Sequence, residues 1–257
     1  SQYRSMDREL KTRAKSNRKW LSTWLQWSLA RPNSAFRDEV VIKRERDDEG
    51  NVISQREVMD LPAMVSLQTD GEPDPTDLLP KEEWLVNFVK AERAAGRKVL
   101  VFVRQSGTRD IQPRLKAILS RAGLRTDVLH SNISTRRREA WINRRASGLD
   151  ALICNPRLVQ TGLDLVQFST VVFYEIQYDL YVIWQSMRRV WRLGQDKPVR
   201  VVFTAYEDTL EANAIQLMGK KMKAAQLLYG DEVGGAIVPD DDDGNFLLEL
   251  ARSVFDG

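Results

Sequence analysis

Val99-Leu-Val-Phe-Val103 is a short, unbroken apolar run rich in β-branched residues. That is the pattern of a strand covered on both faces, since a strand with one wet face alternates. Downstream, a helical stretch over about 108–122 ends at Gly123, and a second strand is expected over 126–129. Ser134 is placed to cap a helix running to about 146. Strands follow over 151–154, 171–174 and 199–203, with a helix over about 179–191 between the last two. Asp208 then stands as the cap of a long helix reaching about Tyr229. Strands alternating with helices predict an α/β protein: a parallel sheet with helices on both faces. In such sheets ligands bind beyond the carboxyl ends of the strands. The segments 104–109, 155–165 and 175–195 are therefore where chemistry is expected.

Upstream of residue 97 the pattern differs. Residues 7 to about 30 suit one helix, with Trp20, Trp24 and Trp27 at i, i+4 and i+7, ended by Pro32-Asn33-Ser34. A core-packing stripe fits these tryptophans better than a base-stacking one. Val40-Val-Ile42 and Val52-Ile53 flank the turn-rich Asp47-Asp-Glu-Gly-Asn51, which predicts a β-hairpin. Residues 70–80 hold Gly71, Pro73, Pro75 and Pro80 and suit a linker, and 81–95 suit an amphipathic helix. Residues 1–80 are thus an N-terminal helix and hairpin appendage.

The 257 residues can bury one large core or two small ones. A single cysteine and a single histidine exclude an internal disulfide framework, a Cys-rich zinc site and a multi-histidine metal centre. No apolar run approaches a membrane span, and residues 1–19 are basic and polar with no apolar leader core. An intracellular, cytoplasmic and metal-independent protein is expected. The net charge of +3 is mild, but the basic residues cluster in 1–19, at Arg136-Arg-Arg138 and at Arg144-Arg145. Such clusters suit either phosphate tracking or an ordinary solvated surface. The Asp240-Asp-Asp-Asp243 run suits a solvated linker, His130 a surface or structural position, and Cys154 a small buried hydrophobe.

Three segments carry chemistry. Gln185-Ser-Met-Arg-Arg-Val-Trp-Arg-Leu-Gly-Gln195 sets Gln185, Arg189 and Arg192 on one face of an expected helix ending in a glycine turn. A planar guanidinium matches phosphate oxygens; an arginine-rich surface helix held by salt bridges is the plainer alternative. In Ile153-Cys-Asn-Pro-Arg-Leu-Val-Gln-Thr-Gly-Leu-Asp-Leu165, Thr161, Gly162 and Asp164 could position a sugar, a water or an arginine, or simply form a turn. Phe102-Val-Arg-Gln-Ser-Gly-Thr-Arg109 ends a strand at a helix N-terminus, where free amides and the helix dipole favour an anion.

In order and spacing these segments resemble the second motor lobe of superfamily 2 helicases, most closely the Swi/Snf-type DNA translocases. The strand at 99–103 is similar to motif IV, and Gly162-Leu-Asp-Leu165 to motif V. Gln185, Arg189, Arg192, Gly194 and Gln195 match motif VI position by position. Lys220-Lys-Met-Lys-Ala-Ala-Gln-Leu-Leu-Tyr-Gly-Asp231 is similar to the closing brace. Pro156, Val159 and Gln160 depart from motif V, and Arg188 and Trp191 from motif VI. The resemblance implies a RecA-like lobe over 81–231, followed by an acidic linker and C-terminal helix over 232–257. It implies an ATP site shared with an N-terminal RecA-like lobe of the same parent, which would hold the phosphate loop and Mg²⁺. Arg189 and Arg192 would be arginine fingers, and Gln185, Gly162 and Asp164 would line the nucleotide, with Asp164 near the ribose or a finger. Gln105, Ser106, Thr108, Arg157 and Thr161 would grip nucleic acid, expected to be double-stranded DNA, in a nucleoid-associated setting if the source is bacterial.

No Gly-x-x-x-x-Gly-Lys-Ser/Thr loop is present, and Gly219-Lys-Lys221, Asp38-Glu39 and Asp48-Glu49 are decoys for nucleotide motifs. The chain alone is therefore expected to be silent in ATP hydrolysis. The competing expectation is a catalytically idle module that binds nucleic acid or protein. A doubly wound metabolic enzyme would need a glycine-rich loop that Arg104-Gln-Ser-Gly-Thr108 does not supply.

Overall fold

A computed structural model describes residues 2–105, 107–159, 162–229 and 243–255. The N-terminal segment comprises α1 (Gln2–Ser16), α2 (Leu21–Ser34) and the antiparallel hairpin β1 (Glu39–Arg46) and β2 (Val52–Leu61). Then come α3 (Pro80–Ala94), β3 (Val99–Phe102), α4 (Gln112–Arg121), β4 (Thr126–Leu129), α5 (Thr135–Ala146) and β5 (Ala151–Cys154). The chain continues through β6 (Thr170–Phe173), α6 (Leu180–Arg188), β7 (Arg200–Phe203), α7 (Leu210–Tyr229) and α8 (Asp243–Phe255).

The expected parallel sheet is present, in the order β4-β5-β3-β6-β7. Its three inner strands are buried along their whole length, whereas β4 and β7 begin on partly exposed residues. The period of two sends alternate residues to opposite faces. Leu100, Phe102, Leu152, Cys154, Val171 and Phe173 join one apolar cluster, with Ile142 of α5, Ile183 of α6 and Met218 of α7. Val99, Val101, Ala151, Ile153 and Val172 join the other, under Leu85 and Val89 of α3 and Leu115 and Leu119 of α4. Helices thus cover both faces.

The single helix expected over 7–30 is two. Asn17 leaves the helix and its side chain accepts a hydrogen bond from the Lys19 amide at 2.9 Å, starting a 3-10 turn at Arg18–Trp20. Pro32 does not end α2, which runs on to Ser34. A helical proline orphans the carbonyl four residues earlier, and here the Tyr3 hydroxyl donates to that Ser28 carbonyl at 3.2 Å. Trp20, Trp24 and Trp27 are buried, and Met6, Leu10 and Trp24 join the cluster that holds Phe102 and Phe173. The N-terminal segment therefore shares its apolar core with the sheet. A buried polar knot fastens the two: Lys81 Nζ donates to Glu211 at 2.9 and 3.1 Å and to Asn33 at 2.9 Å.

Two other boundaries move, and one cap stands where expected without its side-chain bond. A 3-10 turn at Gly107–Arg109 precedes α4, so that helix starts at Gln112. Ser134 occupies the expected cap position of α5 without a capping side-chain bond. Asp208 does not cap α7. It is held at a φ of 56° and pairs with Arg4 at 2.8 Å, while Thr209 Oγ1 accepts from the Ala212 amide at 3.3 Å. The Asp run falls mostly outside the described residues.

Candidate nucleotide and nucleic-acid edge

The loops after β3, β5 and β6 meet at the carboxyl edge of the sheet, because parallel strands of equal length end level. Asn155, just beyond β5, donates from Nδ2 to the Arg104 carbonyl beyond β3 at 3.0 Å. Glu175, just beyond β6, accepts from the backbone amides of both Arg104 and Gln105 at 2.7 Å. The Arg104 guanidinium lies over the Tyr178 ring, 4.1 Å from its centroid.

This corrects one expectation. The amides of Arg104 and Gln105 are not open to an external anion, because the Glu175 carboxylate fills their cradle. Burial pushes the Glu175 carboxyl up to about 7, against the pull of those two amides. Sequence reasoning missed Glu175: its partners lie some seventy residues away in the chain, and no local pattern announces such a contact.

Asp179 starts α6 by accepting from the Val182 amide at 3.2 Å. The helix ends sooner than its spacing implies: Arg188 is the last helical residue and Arg189 is the C-cap. Gln185, Arg189 and Arg192 therefore do not lie along one helix face, as expected. A non-helical turn carries Arg192, closed by Gly194 at a φ of 94°, where a side chain would be strained.

The structure nevertheless brings the nucleotide-side candidates together. Arg189 Nη2 donates to Gln185 Oε1 at 3.4 Å. Arg192 is ion-paired with Asp164 across two loops, and both side chains are about half exposed. The Leu165 amide donates to the Arg189 carbonyl at 2.8 Å, clamping the Gly162-to-Leu165 turn against the end of α6. Gly162 takes a φ of 70°, with open space where a Cβ would stand, so conformation rather than crowding requires glycine there. Burial lowers the Arg189 pKa, with repulsion from Arg192 adding to it and attraction to Asp164 opposing it. Beside Arg192 a cavity of about 410 Å³ is lined by Trp184, Arg188, Trp191 and Lys197, among others.

Gln195 carries a role that spacing does not reveal. Its Nε2 donates to the carbonyls of Val166, Phe168 and Val190 at 3.2, 2.9 and 3.2 Å, fixing both loops relative to each other. Gln195 is a staple of this edge, not a ligand contact.

The nucleic-acid-side candidates are more scattered. Gln105 is half-buried and Thr108 exposed. Arg157 is half-exposed and 3.9 Å from Asp179. The Asn155–Arg104 bond brings Gln105 and Arg157 to neighbouring loops, whereas Thr108 is turned to the N-terminal segment, its carbonyl accepting from Arg37. Ser106 and Thr161 lie outside the described residues. Cys154 is buried and its thiol pKa is raised by that burial, as suits an inert core residue. His130 is exposed. No helix among the described residues is long and apolar enough to cross a membrane.

Residues 80–194 match the helicase conserved C-terminal domain, from the start of α3 to the last motif VI glycine. That stretch is similar to the C-terminal lobe of superfamily 2 helicases. Curated proteins similar to this chain include the RNA polymerase-associated protein RapA of Yersinia pestis (strain Pestoides F) and of Yersinia pseudotuberculosis serotype O:1b (strain IP 31758). Each is 27% identical over 137 residues, which is 52% of this chain and 14% of the relative. The chain thus spans only a small part of the relatives' length. Among solved structures, the C-terminal part of the Fun30 ATPase domain aligns with a TM-score of 0.48 and 16% identity, covering 68% of this chain and 54% of that one.

Proposed function

We propose that this chain is the C-terminal motor half of an ATP-dependent nucleic-acid translocase of the Swi/Snf-like branch, moving on double-stranded DNA. The observation that carries the proposal is the joint made by Arg189, Arg192, Gln185 and Asp164 at the sheet edge. Two guanidinium groups stand there close enough to repel each other, Arg192 against the half-exposed Asp164 carboxylate and Arg189 beside the Gln185 amide.

The fit to a triphosphate rests on this donor set: cations that stay charged at neutral pH, presented on a partly desolvated edge. In a closed motor, ATP and Mg²⁺ would sit between this lobe and an N-terminal lobe of the parent. Arg192 would meet the γ-phosphate by leaving Asp164, and Arg189, steadied by Gln185, would lie alongside. Their charge would stabilise the transferring phosphoryl group. Asp164 and Gly162 lie on the turn clamped to the Arg189 carbonyl, so a shift of Arg192 is passed to the loop after β5. Gln105 and Arg157 would feel that shift at the track. Opening and closing of the cleft would then step the lobe along the phosphate backbone.

The test is ATP hydrolysis by this chain and by the longest polypeptide that contains it, each with and without duplex DNA. The proposal expects a silent chain and a DNA-stimulated parent. Turnover by the chain alone, or DNA binding by a parent with no turnover, contradicts it; the second outcome favours the idle binding module.

A further inference from the structure

The N-terminal segment, outside the matched helicase stretch, gathers cations around one aromatic ring. Arg13 of α1 and Lys43 and Arg56 of the hairpin lie over Trp20, at 4.9, 5.1 and 5.3 Å from its centroid. Lys43 and Arg56 are direct partners across the β1–β2 ladder. Like charges set opposite each other weaken a ladder, and the face of a single indole offsets only part of that repulsion. Two carboxylates answer the cluster: Glu9 pairs with Arg13, and Glu45 with Lys43 at 2.8 Å. Arg56 is exposed and has no carboxylate partner among the described residues. A groove of about 450 Å³ opens there, lined by Arg13, Trp20, Arg56, Glu57 and Val58. Arg18 and Lys19, both exposed, add charge beside the ring.

Three cations answered by two paired carboxylates make a cluster that an anion would stabilise. We propose that the Arg13–Lys43–Arg56 cluster around Trp20 is a second contact for the phosphate backbone of duplex DNA, outside the helicase lobe. The inference rests on the nucleic-acid part of the function proposed above and not on the ATPase.

Its position suits a continuous track. At the base of the hairpin, Arg37 donates to the carbonyls of Thr108 and Asp110, the latter at 2.6 Å. Arg109 lies over Trp27, 4.2 Å from the centroid, with its Nε 3.7 Å from Glu39. The base of the hairpin thus packs against the loop after β3, where Gln105 stands. Lys43 is four residues along β1 from Glu39. At about 3.3 Å per residue that is roughly 13 Å, or about four base steps of a duplex. The sequence shows the basic residues of this segment, but only the hairpin register and the turn at Asn17 bring three of them to one ring.

Fluorescence anisotropy with a short labelled duplex, titrated at several salt concentrations, tests the inference on the whole chain. Arg56→Gln and the Arg13→Gln/Arg56→Gln double variant are compared with wild type after circular dichroism has shown the fold intact. The expected result is a loss of about 10-fold in affinity for the double variant near 0.1 M salt. The slope of log affinity against log salt should fall by about one unit for the single and about two for the double variant. Folded variants with wild-type affinity and slope overturn the inference. Arg157→Gln separates the two contacts: weakening there with none in Arg56→Gln removes the hairpin contact and leaves the lobe's grip standing. A wild-type chain that binds no duplex overturns both.

Discussion

Arg114 and Arg192 carry the same guanidinium into opposite surroundings. Arg114, on α4, is buried and bonded to both carboxylate oxygens of Glu82 at 2.6 and 2.9 Å, and to the carbonyls of Asp74 and Asp77 at 3.1 and 2.8 Å. Arg31, on α2, is buried in the same manner, among the carbonyls of Arg37, Leu61 and Pro62 and the carboxylate of Glu39. Arg192 sits half-exposed on a turn, opposite one half-exposed carboxylate. An arginine buried among several carbonyls and a carboxylate of its own chain is part of the fold. One held by a single exposed partner can exchange that partner for a phosphate at little cost to the fold.

The contrast can be broken first at its buried end. Arg114→Ala strands the Glu82 carboxylate in the core between α3 and α4, and should cost about 4 kcal/mol of stability, read by urea unfolding. A loss under about 1 kcal/mol would mean that burial of a guanidinium among acceptors of its own chain is no guide to its role.

The next largest effect lies between the two regions, at Glu175. Its carboxyl titrates near 7 in the folded chain and near 4.3 when unfolded. Between those values the unfolded chain has released a proton that the folded chain still holds, so stability falls as pH rises through the window and levels off above 7. The full span is roughly 4 kcal/mol at most. Glu175→Gln keeps an acceptor for the Arg104 and Gln105 amides and removes the titration. Its stability relative to wild type should therefore grow from pH 5 to pH 8; parallel curves would show that the carboxylate is well solvated.

The smallest effect is expected where both partners are wet. Arg4 and Asp208 form an ion pair at 2.8 Å with both side chains mostly exposed. Arg4→Ala should change stability by less than about 1 kcal/mol. A larger loss in the same unfolding measurement would mean that exposure is a poor measure of what a pair contributes, and would weaken the distinction drawn for Arg192.

The sheet was legible because its signal is local. Val99-Leu-Val-Phe-Val103 and Ala151-Leu-Ile-Cys154 are short and apolar without interruption, as strands covered on both faces are. The spacing of Gln185, Arg189 and Arg192 is visible in the sequence, but their geometry was not legible: the turn after Arg188 depends on the Gln195 staple and on the Leu165 amide, both long-range contacts. The break at Asn17 and the survival of α2 past Pro32 were illegible for the same reason. A cap accepting from Lys19 and a Tyr3 hydroxyl over the Ser28 carbonyl are chosen by packing, not by propensity. Glu175, filling an amide cradle that the sequence offers to an outside anion, is the clearest case.

Arg192→Ala in the longest polypeptide containing this chain is the most direct measurement, with DNA-stimulated ATP turnover and thermal unfolding recorded on the same preparation. Turnover should fall by about 10³-fold, the scale of a lost arginine finger, with the unfolding transition unmoved. Turnover near the wild-type rate would contradict it, as would a loss of activity that simply follows a loss of fold.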